Sequence, residues 1–363
     1  MKQITLVIAL LLFVWSTNAL PINCPYFSNS DRPLILAHRG ACGELPEHSA
    51  AAYTAAYYDG TDFNEPDLQV TKDGKLFIMH NPCMKNTTNI DSIPAFHDRR
   101  TNVTFVGKQA NFECTDDYLV NDFTFQELID AGVKLRNRYD TRNPFFNDMF
   151  PPMHLEQAIE LMLDLNMKSP REDRQFRTGL YIETKQVEFY KTYRNVDIAK
   201  ILFETLQKYN LDTIDKAQNK LPIILESFEE DSLLYFKQVT DLPLIQLLSY
   251  DYHYDLDSIS TFAHGVGPSY RYMFSYKDEP FNLDKPSKFI QECHNKDLNV
   301  HPWIFQDDFL HYTKNSVDEL NVYLTKGVDG VFTEFPQTSL QSIEHLTKIE
   351  TRRSHNLIEK MLA

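Results

Sequence analysis

The sequence predicts an α/β fold built from repeated strand and helix units, and three observations lead there. Short apolar, β-rich runs recur along the 363 residues. Stretches with helical spacing separate most of them. Residues able to do chemistry follow the runs directly, where strands end. Eight such alternations read as a closed TIM (β/α)8 barrel with helices outside, although an open doubly wound sheet fits the same pattern.

The strand-like runs are residues 34–37, 62–65, 180–182, 222–225, 244–248, 265–267, 299–304 and 330–332. Helical spacing appears over 47–58, 195–209, 230–239, 287–296 and 316–326. One segment does not belong to a minimal barrel. Residues 84–150, after the second strand, are polar, rich in Asn, Asp and Thr, and far longer than an ordinary connection. They are expected to form a cap or side lobe, with too little apolar periodicity for a core of their own.

The ends of the chain carry a second message. Lys2, an apolar run over 4–15 and the small-residue site Thr17-Asn18-Ala19 read as a signal peptide over 1–19, leaving 20–363 as one barrel domain. The run is too short for a membrane anchor, which needs about twenty apolar residues. Residues 352–363 offer no hydrophobic tail for a lipid anchor. The expected location is outside the cell or in the lumen of the secretory or lysosomal pathway. Sequons at Asn86 and Asn102 agree with that route. Of the five cysteines, Cys24, Cys42, Cys83, Cys114 and Cys293, none forms a closely spaced metal pair. Cys83 with Cys114 would bridge the base of the insertion in an oxidising compartment.

Chemistry concentrates in two places. The first is His38-Arg39-Gly40, Glu65-Pro66-Asp67 and His80; the second is Glu183 with Lys185. In an extended strand alternate side chains share a face, so Glu65 and Asp67 can grip one cation, and Glu183 and Lys185 likewise point one way. Pro66 removes a ladder donor, which suggests that the strand runs out into a loop there. Taken singly, each motif is an ordinary solvated strand end. Their joint occurrence, each behind an apolar run, points to metal-assisted attack on a phosphate ester. The net charge of −15 excludes nucleic acid and anionic lipid surfaces as natural partners.

These blocks resemble the glycerophosphodiester phosphodiesterase family. The resemblance rests on His38-Arg39-Gly40, 45–49 ahead of an Ala-rich stretch, Glu65-Pro66-Asp67, His80, Glu183, Glu226-Ser227-Phe228, Val300-His301-Pro302-Trp303 and 330–336, in family order. With its long connection after His80, the chain looks most similar to the bacterial periplasmic branch. The resemblance decides for the barrel over the open sheet.

It implies hydrolysis of a small glycerophosphodiester, such as glycerophosphocholine, to an alcohol and glycerol 3-phosphate. His38 and His80 would be the acid and base pair, with the order between them open. Glu65, Asp67 and Glu183 would hold one divalent cation, Ca²⁺ in preference to Mg²⁺. Arg39 and Lys185 would receive the phosphate, Trp303 would wall the pocket, and Glu47 would support the metal shell or cap the first helix. Tyr250, Tyr252, Tyr254, Tyr270 and Tyr272 form an aromatic-rich stretch that would suit a choline leaving group. Cys42 is not expected to be a nucleophile. No protein partner is implied. Two other readings stand beside this one: a phospholipase D acting on lysophospholipids, and a secreted binding protein without turnover.

Overall fold

The computed structural model describes residues 25–28, 32–169, 177–250, 252–277, 281–283 and 287–346. The readings on the leader, on Cys24 and on the C-terminal tail lie outside them. Among the described residues no helix is long and apolar enough to cross a membrane.

The strands in chain order are β1 (Leu34–His38), β2 (Phe63–Glu65), β3 (Asp67–Val70), β4 (Leu76–Ile78), β5 (Thr101–Val106) and β6 (Asn111–Asp117). Then follow β7 (Gly179–Thr184), β8 (Ile223–Ser227), β9 (Leu244–Leu248), β10 (Gly265–Pro268), β11 (Asn299–Val300) and β12 (Gly330–Thr333). Eight of them form a parallel sheet in the order β11-β10-β9-β8-β7-β2-β1-β12. The ends meet: Asp329 N donates to Val300 O, Phe305 N donates to Phe332 O, each at 2.9 Å, and Phe305 bridges Thr333. The sheet is therefore a barrel, as expected, and the open alternative falls away.

Two local expectations are corrected. At Pro66 the strand does not run out into a loop. Register with β7 holds across it, Asn64 opposite Leu180 and Asp67 opposite Glu183. Pro66 contributes its carbonyl to Glu183 N (3.0 Å), so its missing N–H interrupts one strand and the chain resumes as β3. The helix after β1, Ala50–Asp59, is capped by Ser49, whose hydroxyl accepts from Ala52 N; Glu47 takes no part.

The insertion does own a small core. Met84, Ile90, Phe96, Tyr118, Val120, Phe123, Leu128, Val133 and Leu135 pack with Phe77 and Met79, apart from the barrel interior. Periodicity missed this cluster because its members come from short 3-10 turns, extended segments and one short helix, Phe125–Asp130, with no common period. Cys83 is bonded to Cys114 across 31 residues and ties the start of the insertion to the β5–β6 hairpin. A helix over Leu155–Lys168, also unread in the sequence, returns the chain to the barrel with Leu155, Ile159 and Met162 buried.

Strand alternation sets up the site. Leu36, Phe63, Tyr181, Ile224, Ile245 and Phe332 form one apolar layer inside the barrel, while Ile35, Leu180, Ile182, Ile223 and Leu225 face the outer helices. Two residues further along, the inward positions are His38, Glu65, Glu183, Glu226, Leu247 and Glu334. A ring of titratable groups thus sits on an apolar plug at the C-terminal end of the strands, where barrel enzymes place their chemistry.

Candidate active site

The turn after β1 is dictated by its backbone. Arg39 (φ 58°) and Gly40 (φ 83°) are both left-handed, and a Cβ on Gly40 would lie 2.7 Å from the Ala52 carbonyl carbon of the helix after β1. The turn lets Arg39 N donate to Glu65 Oε2 (2.9 Å) and draws the guanidinium back across the barrel mouth.

There Arg39 meets carboxylates on two sides. Its Nη1 bonds both oxygens of Glu47 (3.1 and 3.0 Å), and its Nε lies 3.2 Å from Asp67 Oδ2. Glu47 therefore stands behind Arg39, outside the acidic cluster. His48 Nε2 holds the same Asp67 oxygen at 3.0 Å, while Lys185 Nζ lies 3.1 Å from Asp67 Oδ1 and 2.7 Å from Glu183 Oε2.

Glu65, Asp67 and Glu183 each place an oxygen within 4.8 Å of the others, all buried. Glu226 adds a fourth buried carboxylate beside Glu183. Glu183 Oε1 and Glu226 Oε2 meet no hydrogen-bond donor. Burial and the neighbouring carboxylates push Glu65 and Glu226 well above the usual carboxylate range. Burial raises Glu183 to about 8, against the pull of Lys185. Asp67 stays well below its ordinary value because Lys185, Arg39 and the His48 bond outweigh its burial. Crowded oxygens with too few positive partners suit a hard divalent cation.

Both expected histidines face this cluster. His38, Arg39, Glu65, His80, Glu183, Lys185 and Trp303 line one cavity of about 140 Å³, walled further by Phe228, Leu247 and Phe332. His38 Nδ1 is 3.1 Å from Glu334 Oε1, and His80 Nδ1 is 2.7 Å from Asn81 Oδ1. Each ring therefore has Nε2 left for a substrate. Burial, then the charge of Arg39, lowers His38 to about 4 against the opposing pull of Glu334. Burial with Arg39 and Lys185 holds His80 well below its ordinary value. Trp303 Nε1 donates to Gly267 O (2.8 Å), and its ring packs edge-on against Phe228.

Residues 38–338 match the Glycerophosphoryl diester phosphodiesterase family. The chain belongs to this family. It is 31% identical over 337 residues to "Glycerophosphodiester phosphodiesterase GDPD6" of Arabidopsis thaliana, covering 84% of each chain. Relatives described as glycerophosphodiester phosphodiesterases also come from bacteria, so the matches single out the family and no one branch of it. Two solved structures share the fold. A putative glycerophosphoryl diester phosphodiesterase from Silicibacter pomeroyi gives a TM-score of 0.61 at 17% identity, covering 87% of this chain and 94% of that one. An Oleispira antarctica phosphodiesterase in complex with the product sn-glycerol-3-phosphate gives 0.57 at 17%, covering 86% and 97%.

In this glycerophosphodiester phosphodiesterase three groups escaped the sequence reading as site residues: Glu226, Glu334 and Arg142. The first two carried a usable signal, a carboxylate two residues beyond an inward apolar residue, as Ile224 to Glu226 and Phe332 to Glu334. Arg142 carried none, since it lies in the polar insertion. A second group, His38, Cys42 and Glu334, also brings ligand-type atoms together. Its Glu334 is already bonded by His38, Gln306 and Arg142. Cys42 is a poor nucleophile: burial pushes its thiol well above the ordinary range, and Sγ donates to His38 O.

The tyrosines do not meet the cavity of His38 and His80. Tyr250, Tyr252, Tyr254 and Tyr272 line a separate cavity of about 310 Å³ that includes Leu248. Leu247, the neighbouring residue on β9, faces the catalytic one. Tyr270 stacks instead on His311. The expected aromatic surround for choline is thus corrected: alternation along β9 divides the two cavities.

Proposed function

We propose that the enzyme cleaves small, water-soluble glycerophosphodiesters, glycerophosphocholine among them, to an alcohol and glycerol 3-phosphate, with His38 and His80 as acid and base. One observation carries the reading: both imidazoles open onto the cavity that holds Glu65, Glu183, Arg39 and Lys185. The product bound to the Oleispira protein supports the same outcome here.

Glu65, Asp67 and Glu183 would hold one divalent cation. Ca²⁺ is favoured over Mg²⁺ because it accepts several carboxylates in irregular geometry, whereas Mg²⁺ keeps its waters and demands an octahedron. Such an ion supplies positive charge to the phosphoryl oxygen and eases deprotonation of a nearby hydroxyl. Arg39 and Lys185 orient the phosphate. One imidazole takes the proton of the glycerol 2-hydroxyl as its oxygen bonds to phosphorus. The bond from phosphorus to the alcohol oxygen breaks as the other imidazole protonates it. Water then opens the cyclic phosphate, with the two rings exchanging roles. Phe228 and Trp303 exclude water from one wall. The leader reading over 1–19 and the exposed Asn86 and Asn102 support secretory routing of this enzyme.

The test is release of glycerol 3-phosphate from glycerophosphocholine with Ca²⁺, with chelator and with His80→Ala. Loss in the last two supports the reading; release that survives chelator overturns the metal, and release that survives the substitution overturns the role of His80. Normal turnover of the 2-deoxy analogue overturns attack by the internal hydroxyl. Cleavage of lysophospholipid in place of glycerophosphocholine overturns the substrate class.

A further inference from the structure

His38 is held from behind by a chain of contacts that begins outside the barrel. Its Nδ1 faces Glu334 Oε1 at 3.1 Å. The other oxygen of Glu334 accepts from Gln306 Nε2 at 2.8 Å and from Arg142 Nη2. Arg142 belongs to the insertion, yet its side chain is buried and spends its other donors on the barrel. Nε bonds Asp308 Oδ2 (2.9 Å), Nη2 bonds Asp308 Oδ1 (3.2 Å) and Nη1 bonds the Cys42 carbonyl (2.8 Å). One guanidinium thereby ties together the loop after β1, the loop after β11 and the end of β12.

We propose that Arg142 is a positioning residue of the catalytic histidine, acting through Glu334, so that the insertion completes the active site. This rests on the role given to His38 above. Glu334 stays ionised, well below the ordinary carboxylate range, because the His38 bond and the charges of His38 and Arg142 overcome its burial. An ionised Glu334 accepts the Nδ1 proton and presents Nε2 to the cavity; it also balances the charge that His38 gains when it takes a proton. Without Arg142, Glu334 and Asp308 lose their shared partner and the ring loses a fixed tautomer. A lysine cannot replace the fork, since it is one point charge against four directed bonds.

The experiment compares kcat and KM for glycerophosphocholine in His38→Ala, Arg142→Ala, Arg142→Lys, Glu334→Gln and the Arg142→Lys/Glu334→Gln double variant. Folding is checked by thermal unfolding, and the His38 ring nitrogens are read by ¹⁵N NMR. The expected result is a loss of kcat of about ten- to hundredfold in Arg142→Lys with KM within threefold. The double variant should be no slower than Glu334→Gln alone, and the ¹⁵N shifts should report a mixed tautomer. If Arg142→Ala does not fold, the lysine variant and the double variant decide. Multiplying effects, or an unchanged tautomer with full kcat, overturn the proposal. If His38→Ala itself keeps activity, the role of His38 has failed first, and the two failures are told apart.

Discussion

Glu183 and Glu226 stand side by side on adjacent parallel strands, in direct register and both buried, and each keeps one carboxylate oxygen without a hydrogen-bond donor. Two such groups persist together when protons stay on them, the direction in which burial and crowding push both, or when a cation is shared between them. Lys185 reaches Glu183 Oε2 and Asp67 Oδ1, and no ion pair to Glu226 is formed among the described residues.

On the proposed metal reading, a cation would draw the proton from Glu226 and use its oxygen, so replacing Glu226 is expected to weaken cation binding even though the three oxygens closest together belong to other residues. Glu226→Gln keeps the shape and is expected to raise the Ca²⁺ concentration for half-maximal activity at least about tenfold, which is about 1.4 kcal/mol. A calcium titration of activity checks this. An unchanged midpoint would show that Glu226 lies outside the field of the ion.

Trp303 faces the cavity lined by His38 and His80, and Tyr252 faces the neighbouring one. Trp303→Ala is expected to raise KM for glycerophosphocholine about tenfold, the scale of one lost aromatic wall. Tyr252→Ala should leave the ratio of kcat/KM between choline and glycerol leaving groups within twofold. A large change in that ratio for Tyr252→Ala would join the two cavities functionally.

His301 is fully buried in the barrel interior, with Nδ1 3.0 Å from Tyr181 OH. Burial lowers it from 6.5 to about 4 against the weak opposing charge of Asp329. Between those values the unfolded chain binds a proton that the folded chain refuses, so stability is present above pH 6.5 and is lost as pH falls toward 4. The loss is roughly 1.4 kcal/mol for each unit of separation. Urea unfolding at pH 7.5 and 4.5 should show a smaller drop in His301→Gln than in the parent; equal drops would assign the pH dependence elsewhere, His38 and His264 being similarly lowered.

The Cys83–Cys114 bond spans 31 residues. Replacing both cysteines by serine should cost about 3 to 4 kcal/mol on the chain-entropy scale for a loop of that length. Calorimetry checks it. A change in Tm within about one degree would mean that the small core of the insertion holds the hairpin unaided.

Much of this architecture was legible before any coordinates. Spacing of apolar runs located all eight barrel strands, and one helix, Glu230–Val239, agrees with it to the residue, the others differing at their ends. Carboxylates two apart, Glu65 and Asp67, were placed on one face, and the structure keeps them together across Pro66. What the reading lacked was the hairpin β5–β6, the core of the insertion and the separation of the tyrosines from the catalytic cavity. These depend on segments without a period, or on which side of a strand faces the axis.

The sequence by itself determined the alternation of each strand, and so which residues share a face: His38 with Leu36, Glu65 with Phe63, Glu183 with Tyr181. That information is local, because a strand turns its side chains by half a circle per residue whatever surrounds it. Only the tertiary structure decided which staves stand next to each other and at what register. Closure of the barrel brings Glu334 to His38 across 296 residues, and the fold of the insertion brings Arg142 to Glu334 across 192. Such meetings are set by sheet closure and by packing between distant segments, for which no spacing along the chain is a record.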